Sequence, residues 1–274
     1  DYENFFMFCE NVGFEEYYVT YAQYKEYMRK YKINSLVETE HIIEKQRMIK
    51  DEEEIRNIKK ACEITDNCFS YILDYIKPGM TEKQIANEIE EYYKERTEGL
   101  SFDTIVASGE NTSKPHAIPS DRKIQDVDII TIDMGCIVNG YCSDMTRTFF
   151  VGKVPEYVKP VYDLVLKNQT QTTEDFKDGA STRLLTKMVE NDFKLNGYDL
   201  VHSLGHGVGM EIHEAPYISY RSDTQLKENM VVTNEPGIYI PGKFGVRIED
   251  TVQITKFGCI NLTNSEKNYI VICQ

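Results

Sequence analysis

No run of apolar residues in this 274-residue chain approaches the roughly 18 that a membrane-crossing helix needs, so a spanning segment of that kind is excluded. Positive charge is also scarce. The 31 Lys and Arg stand against 45 Asp and Glu, and the resulting net charge of -14 would repel a phosphate backbone, which argues against nucleic acid as a partner. The seven cysteines (Cys9, Cys62, Cys68, Cys136, Cys142, Cys259, Cys273) form no C-x-x-C pair and are odd in number, and no signal-peptide pattern opens the sequence. These absences point to the cytoplasm. Histidine is scarce as well, yet three of the five histidines fall within VHSLGHGVGMEIHEAP (201 to 216), among Gly205, Gly207 and Gly209.

With 41% apolar and 28% charged residues the chain has the composition of a water-soluble globular protein. Its first fifty residues hold one helix pattern (TYAQYKEYMRKYK) and one strand pattern (NSLVE), too little to fold alone. We therefore expect residues 1–50 to be the C-terminal remnant of an incomplete N-terminal domain with its linker, and residues 51–274 to form the main domain. Asp51 and Glu54 stand in capping-box spacing before Ile55, Ile58, Cys62, Ile72 and Ile76, and Thr81 and Gln84 repeat the signal before Ile85, Ile89 and Tyr93. The segment 76–100 overlays 176–200 without a gap, at an offset of one hundred residues. Gly79 falls on Gly179, Thr81 on Ser181, Ile85 on Leu185 and Tyr93 on Phe193. PHAIP (115 to 119) follows the first copy and IHEAP (212 to 216) the second, and acidic strand patterns then end each half. Two related halves facing each other would enclose a pseudo-symmetric site.

Asn139-Gly140 lies between two β-type runs, the strongest short hairpin signal, because both turn positions need positive φ. The hairpin predicts Val138 opposite Tyr141 and Gly135 opposite Asp144, which makes Asp133 and Asp144 diagonal neighbours on one face. In GVRIEDTV the same alternation places Arg247 and Glu249 together, with Val246, Ile248 and Val252 towards the core. Glu235 ends an apolar run before Pro236-Gly237. A lone acidic residue on a strand is usually solvated, but two carboxylates about 4 Å apart repel by on the order of 4 kcal/mol at an effective dielectric of roughly 20. Convergence of Asp133, Asp144, Glu235 and Glu249 would thus demand cations. Two divalent ions with one imidazole ligand would suit the oxygen-rich set, manganese first, with cobalt, zinc or ferrous iron as alternatives. His202 and His206 have the i, i+4 spacing of helical zinc sites, but the interleaved glycines predict extended backbone that runs close beside metal or substrate. His41 is expected at the surface.

Together, RMIKDEEEI, ASGENTSKPHA, IDMGCIVNGYCSDMTRTF, HSLGHGVGMEIHEAP, TNEPGIYI and GVRIEDTV resemble the creatinase and aminopeptidase P group of pita-bread metallopeptidases, which includes Xaa-Pro aminopeptidases and prolidases. The resemblance spans residues 51–274. It implies an α+β pita-bread fold, two pseudo-symmetric halves around a curved antiparallel sheet. It also implies metal ligands at Asp133, Asp144, His206, Glu235 and Glu249, with Asp144 and Glu249 bridging two ions. His116, His202 and His213 would surround the substrate, Tyr239 and Arg247 would form the pocket wall, and His116, His213 and Glu235 would take catalytic roles. The implied reaction is hydrolysis of an Xaa-Pro bond, at a peptide N-terminus or in a dipeptide, by a hydroxide bridging the metals. Relatives use their N-terminal domain in pairing subunits, so the resemblance raises a homodimer. Methionine aminopeptidase is the nearest rival. HAIP, TRTF after the second Asp, and Arg247 before Glu249 favour the proline-directed branch. A metal-free pita-bread binding module is the rival from another class, and the intact ligand set stands against it.

Overall fold

The computed structural model describes Phe6 and residues 9–272, so Cys273 lies outside the described residues. The chain divides into two compact units, Asp1–Arg47 and Met48–Gln274. In the first, strands β1 (Val12–Glu15) and β2 (Leu36–Thr39) pair in parallel on either side of helix α1 (Tyr21–Lys30), and helix α2 (Ile42–Arg47) follows. Thr20 caps α1 in a reciprocal box with Gln23, which starts the helix where the TYAQYKEYMRKYK pattern places it. His41 is exposed.

The second unit opens with α3 (Glu52–Tyr75) and α4 (Glu82–Lys94), each begun by the capping box expected from Asp51 with Glu54 and from Thr81 with Gln84. Strands β3 (Ile105–Ser108), β4 (Asp128–Met134), β5 (Ile137–Val138), β6 (Tyr141–Cys142) and β7 (Met145–Val151) complete the first half. The second half begins with α5 (Lys159–Asp175) and α6 (Thr182–Leu195), then β8 (Gly205–Gly207), β9 (Glu214–Ile218), β10 (Val231–Asn234), β11 (Gly237–Ile240), β12 (Phe244–Arg247), β13 (Asp250–Ile254), β14 (Cys259–Asn261) and β15 (Val271–Ile272). No helix among the described residues is long and apolar enough to cross a membrane.

The internal repeat extends to main-chain hydrogen bonds. Gly79 N–H donates to the Ile124 carbonyl and Gly179 N–H to that of Leu226; Ile124 and Leu226 return bonds to Met80 and Ala180. Both glycines have positive φ, 87° and 84°, where a side chain would be strained. The order β3-β4-β7 in the four-stranded sheet corresponds to β8-β10-β13 in the five-stranded sheet, with helices α3 and α4 matched by α5 and α6. Within these two sheets pairing is antiparallel apart from β15, which runs parallel to β7.

Alternation along the strands separates core from site. On β4, Ile130, Ile132 and Met134 pack with Ile85, Ile89 and Tyr93 of α4, which leaves Asp133 on the opposite face. Val246, Ile248, Val252 and Ile254 pack with Val165, Val189 and Phe193, so Arg247 and Glu249 likewise turn away from this second core. The hairpin keeps its register from Val138 opposite Tyr141 down to Asp133 opposite Thr146, and Asn139 and Gly140 both have positive φ. No bulge intervenes between them, so Asp133 and Asp144 share a face.

Asp250, next to Glu249, points the other way, into a buried charge network. Its Oδ1 accepts from Arg147 Nη2 at 2.7 Å and from Thr263, while Oδ2 accepts from Gln169 and Lys267. Burial alone would push this carboxyl up, but Arg147 and Lys267 outweigh it and hold it below the usual range. Removing the anion strands a buried guanidinium. Asp250→Ala is therefore expected to cost about 3–5 kcal/mol, read as a lower urea midpoint. An unchanged midpoint would show that the network contributes nothing net.

Candidate metal centre

A cleft of about 560 Å³ opens between the two halves of the second unit. Asp133, Asp144, His206, Glu235 and Glu249 line it together with His116, His202, His213 and Arg247. Of the candidate residues only Tyr239 is outside that lining. Asp133 comes from the end of β4, Asp144 from just before β7, His206 from β8, Glu235 from just after β10 and Glu249 from the link between β12 and β13. Residues more than a hundred positions apart thus meet, because the repeated strands of the two halves end at the same place.

Donor atoms of Asp144, His206 and Glu249 all lie within 4.8 Å of one another. His206 Nδ1 contacts the Gly207 carbonyl at 3.1 Å, and a carbonyl can only accept, so this nitrogen carries the proton. Burial, with His213 close by, pushes the imidazole down to about 3, so it is neutral and Nε2 presents a bare lone pair. That lone pair faces Asp144 Oδ2 at 3.4 Å and Glu235 Oε1 at 3.5 Å. When the carboxyls are ionised, electron-rich atoms converge there without a proton to share.

The carboxylates show the same conflict. Burial, then the charges of Glu249, Asp133 and Glu235, push the Asp144 carboxyl well up. Burial followed by Glu235 and Asp133 does the same to Glu249, and burial above all raises Glu235 to about 8. Asp133 Oδ1 is buried without any hydrogen-bond partner. An unsatisfied buried acceptor, a bare imidazole nitrogen and mutually repelling carboxyls are what a cation would relieve, so these residues fit divalent metal. Part of the counter-charge comes from the chain itself, since Arg247 Nη2 meets Asp133 Oδ2 at 2.7 Å.

Arg247 is heavily engaged. Its Nε donates to Thr146 Oγ1, its Nη1 to the Pro115 carbonyl and to Tyr239 Oη, and its Nη2 to Asp133. One N–H of the guanidinium remains, too few for bidentate capture of a substrate carboxylate. Tyr239 stands one layer back, and links Arg247 to His202 Nε2 at 2.9 Å. His202 Nδ1 donates to the Ser203 carbonyl at 2.7 Å, and burial first, then Arg247, lowers this imidazole to about 4. It is neutral, so Tyr239 must be the donor to Nε2. Both ring nitrogens of His202 are thereby used inside the protein, although the ring lines the cleft. His213 packs edge-on against His206 with ring centroids 4.3 Å apart, and His116 is exposed on the loop after β3.

Two glycines of the histidine-rich segment meet neighbouring main chain. A Cβ on Gly205 would stand 2.1 Å from the Thr233 carbonyl oxygen, and one on Gly207 would stand 2.4 Å from that of Ala215. They serve close packing of β8 between β10 and β9. Two threonines with no role assigned from the sequence also hold the site: Thr146 Oγ1 donates to Glu249 Oε2 at 2.7 Å, and Thr233 Oγ1 accepts from His206 N–H at 3.1 Å.

Comparison with known proteins places these features. The model of metallopeptidase family M24 matches residues 56–256. The chain is 40% identical over 255 residues to the Xaa-Pro dipeptidase of Pyrococcus furiosus, covering 92% of this chain and 73% of that protein. It is also 40% identical over 266 residues to an uncharacterized peptidase of Bacillus subtilis, covering 96% of this chain and 75% of the relative. Among solved structures, the X-Pro aminopeptidase of Thermotoga maritima superposes with a TM-score of 0.91 at 38% identity, covering 97% of this chain and 76% of that one.

The raised carboxyls set a pH dependence. A carboxyl whose folded pKa is raised stabilises the fold below its unfolded value and loses that contribution as pH climbs through the folded one. For Glu235 the window runs from 4.5 to about 8. Protein stripped with EDTA should therefore melt at a lower temperature at about pH 8 than at about pH 5, and added Mn²⁺ should remove most of that loss by binding the ionised groups. Calorimetry at both pH values checks this; a stripped protein no less stable at the higher pH would contradict the repulsion described.

Proposed function

The chain belongs to metallopeptidase family M24 and has its pita-bread fold, and from that premise we propose that it hydrolyses Xaa-Pro peptide bonds, with two divalent cations held by Asp133, Asp144, His206, Glu235 and Glu249. The observation that carries this reading is the convergence of the bare His206 Nε2 with the raised carboxyls of Asp144, Glu235 and Glu249 at the floor of an open cleft. The naming of relatives as Xaa-Pro dipeptidase and X-Pro aminopeptidase supports the choice of bond over that of a methionine aminopeptidase. When bound, the ions supply Lewis acidity that polarises a carbonyl and acidifies water. Manganese is the ion we favour for so oxygen-rich a set.

The protein's own residues supply the rest. His116 and His213 flank the cleft, where an imidazole N–H can support the oxygen of the scissile carbonyl as negative charge grows on it. Glu235 is placed to pass a proton to the leaving nitrogen, which in an Xaa-Pro bond is a tertiary amide without an N–H of its own. Arg247, His202 and Tyr239 form a chain of hydrogen bonds that keeps Asp133 oriented. With one N–H free, Arg247 alone does not favour dipeptides over longer peptides. The absence of a C-x-x-C pair and the free thiols of Cys62, Cys68, Cys136, Cys142 and Cys259 support a reducing cytoplasm. By analogy with the family resemblance, a homodimer is the assembly we favour.

In Mn²⁺, an Xaa-Pro dipeptide or an Xaa-Pro-Yaa tripeptide should be cleaved in clear preference to Met-Ala-Ser, and Asp144→Asn or Glu249→Gln should lower kcat by at least about a hundredfold with loss of bound metal. Kinetics and metal analysis on the same samples measure both. Preference for the methionine peptide, or full activity in either variant, would overturn the reading.

A further inference from the structure

Glu82 begins α4 and is fully buried, yet no cation of the chain pairs with it among the described residues. Its Oε1 accepts from the Ser108 N–H at 2.7 Å, from Ser108 Oγ at 2.6 Å and from Asn111 Nδ2 at 3.1 Å. Its Oε2 accepts from the Ser120 N–H at 2.9 Å, from Ser120 Oγ at 2.6 Å and from Asn111 Nδ2 at 3.2 Å. Burial raises the carboxyl, but these bonds outweigh it and hold it below the usual range. The donors come from both ends of a single loop. Between Ser108 and Ser120 lie Pro115, whose carbonyl accepts from Arg247, and His116, Ala117, Ile118 and Pro119, which line the cleft.

The repeat shows why a carboxylate stands here. Position 182, the counterpart of Glu82, is a threonine that reaches only Ser222 and begins its helix equally well, so the fold itself needs no glutamate at this point. The histidine-bearing segments differ in what holds them. His213 immediately precedes β9, whose ladder with β8 fixes it, whereas His116 lies in no strand or helix and makes no hydrogen bond of its own among the described residues. The carboxylate does for the first segment what sheet pairing does for the second.

We propose that Glu82 is a positioning residue which, by tying Ser108, Asn111 and Ser120 together, holds the loop so that His116 faces the reacting carbonyl. The proposal rests on the functional reading of His116 above. The test compares Glu82→Thr, the residue of the other half, and Glu82→Gln with the wild type and with His116→Ala, all loaded with Mn²⁺ and assayed on an Xaa-Pro dipeptide. Either Glu82 variant should keep its metal content and lose kcat by about a hundredfold, as misplacement of a reacting group by about 1 Å does. Glu82→Thr added to His116→Ala should cost less than about twofold more, because the two act through one group. Hydrogen exchange over residues 109–120 should quicken in both variants, with exchange elsewhere unchanged. Wild-type kcat in both variants, an undiminished further loss in the double variant, or unaltered exchange would overturn the proposal. If the wild type cleaves no Xaa-Pro substrate, the functional reading fails by itself, and the exchange measurement still decides whether Glu82 anchors the loop.

Discussion

Carboxylates that repel one another are buried together in this protein, and the rest of the structure is arranged around that conflict. Asp144, Glu235 and Glu249 are pushed towards the protonated state by burial and by each other, and the imidazole of His206 turns a lone pair on the same point. Nothing about hydrophobic burial would choose such a set; isolated buried charges are among the costliest features a fold can carry. Each charge is tolerable because its strand commits the opposite face to a core. Ile130, Ile132 and Met134 hold β4 on one side, and Val246, Ile248 and Val252 hold β12 and β13 on the other. The apolar alternation aims the acidic residues where they would not otherwise go.

Two halves built on one plan explain how the site closes. The helix starts at Glu82 and Thr182, the positive-φ glycines before them and the paired main-chain bonds at Ile124 and Leu226 show one scaffold used twice. Function resides in the positions where the copies diverge. One half supplies Asp133 and Asp144 from its hairpin and the other supplies His206, Glu235 and Glu249, while the histidine segments at 116 and 213 are secured by different means. Neighbouring acidic residues divide the labour too: Glu249 faces the cleft, and Asp250, one residue on, anchors Arg147 and Lys267 beneath it.

Much of this was legible locally. Asn139-Gly140 set the hairpin register, and with it the shared face of Asp133 and Asp144, because a two-residue turn leaves only one way to pair the strands. Asp51 with Glu54 and Thr81 with Gln84 marked helix starts because capping satisfies orphan N–H groups within three residues. Gly205 and Gly207 lie on extended backbone as read from the sequence, and a feature not legible there is that their close contacts include the carbonyls of Thr233 and Ala215 on adjacent strands. The roles of Thr146, Thr233 and Glu82 were not legible, although the two threonines lie in segments that carry the resemblance, since a hydroxyl or carboxylate that bonds across the fold leaves no sign of its partner in its own segment.

By itself the sequence determined the helices, the hairpin, the duplication and which faces of the strands are acidic, all consequences of interactions spanning a few residues or of side-chain alternation. Only the tertiary structure decided which of those acidic residues meet, which nitrogen of His202 and His206 carries the proton, and that Arg247 has spent all but one of its N–H groups. Those outcomes depend on atoms brought within hydrogen-bond range from positions far apart in the chain. Such contacts exist only after both cores have packed and the two halves have closed on each other.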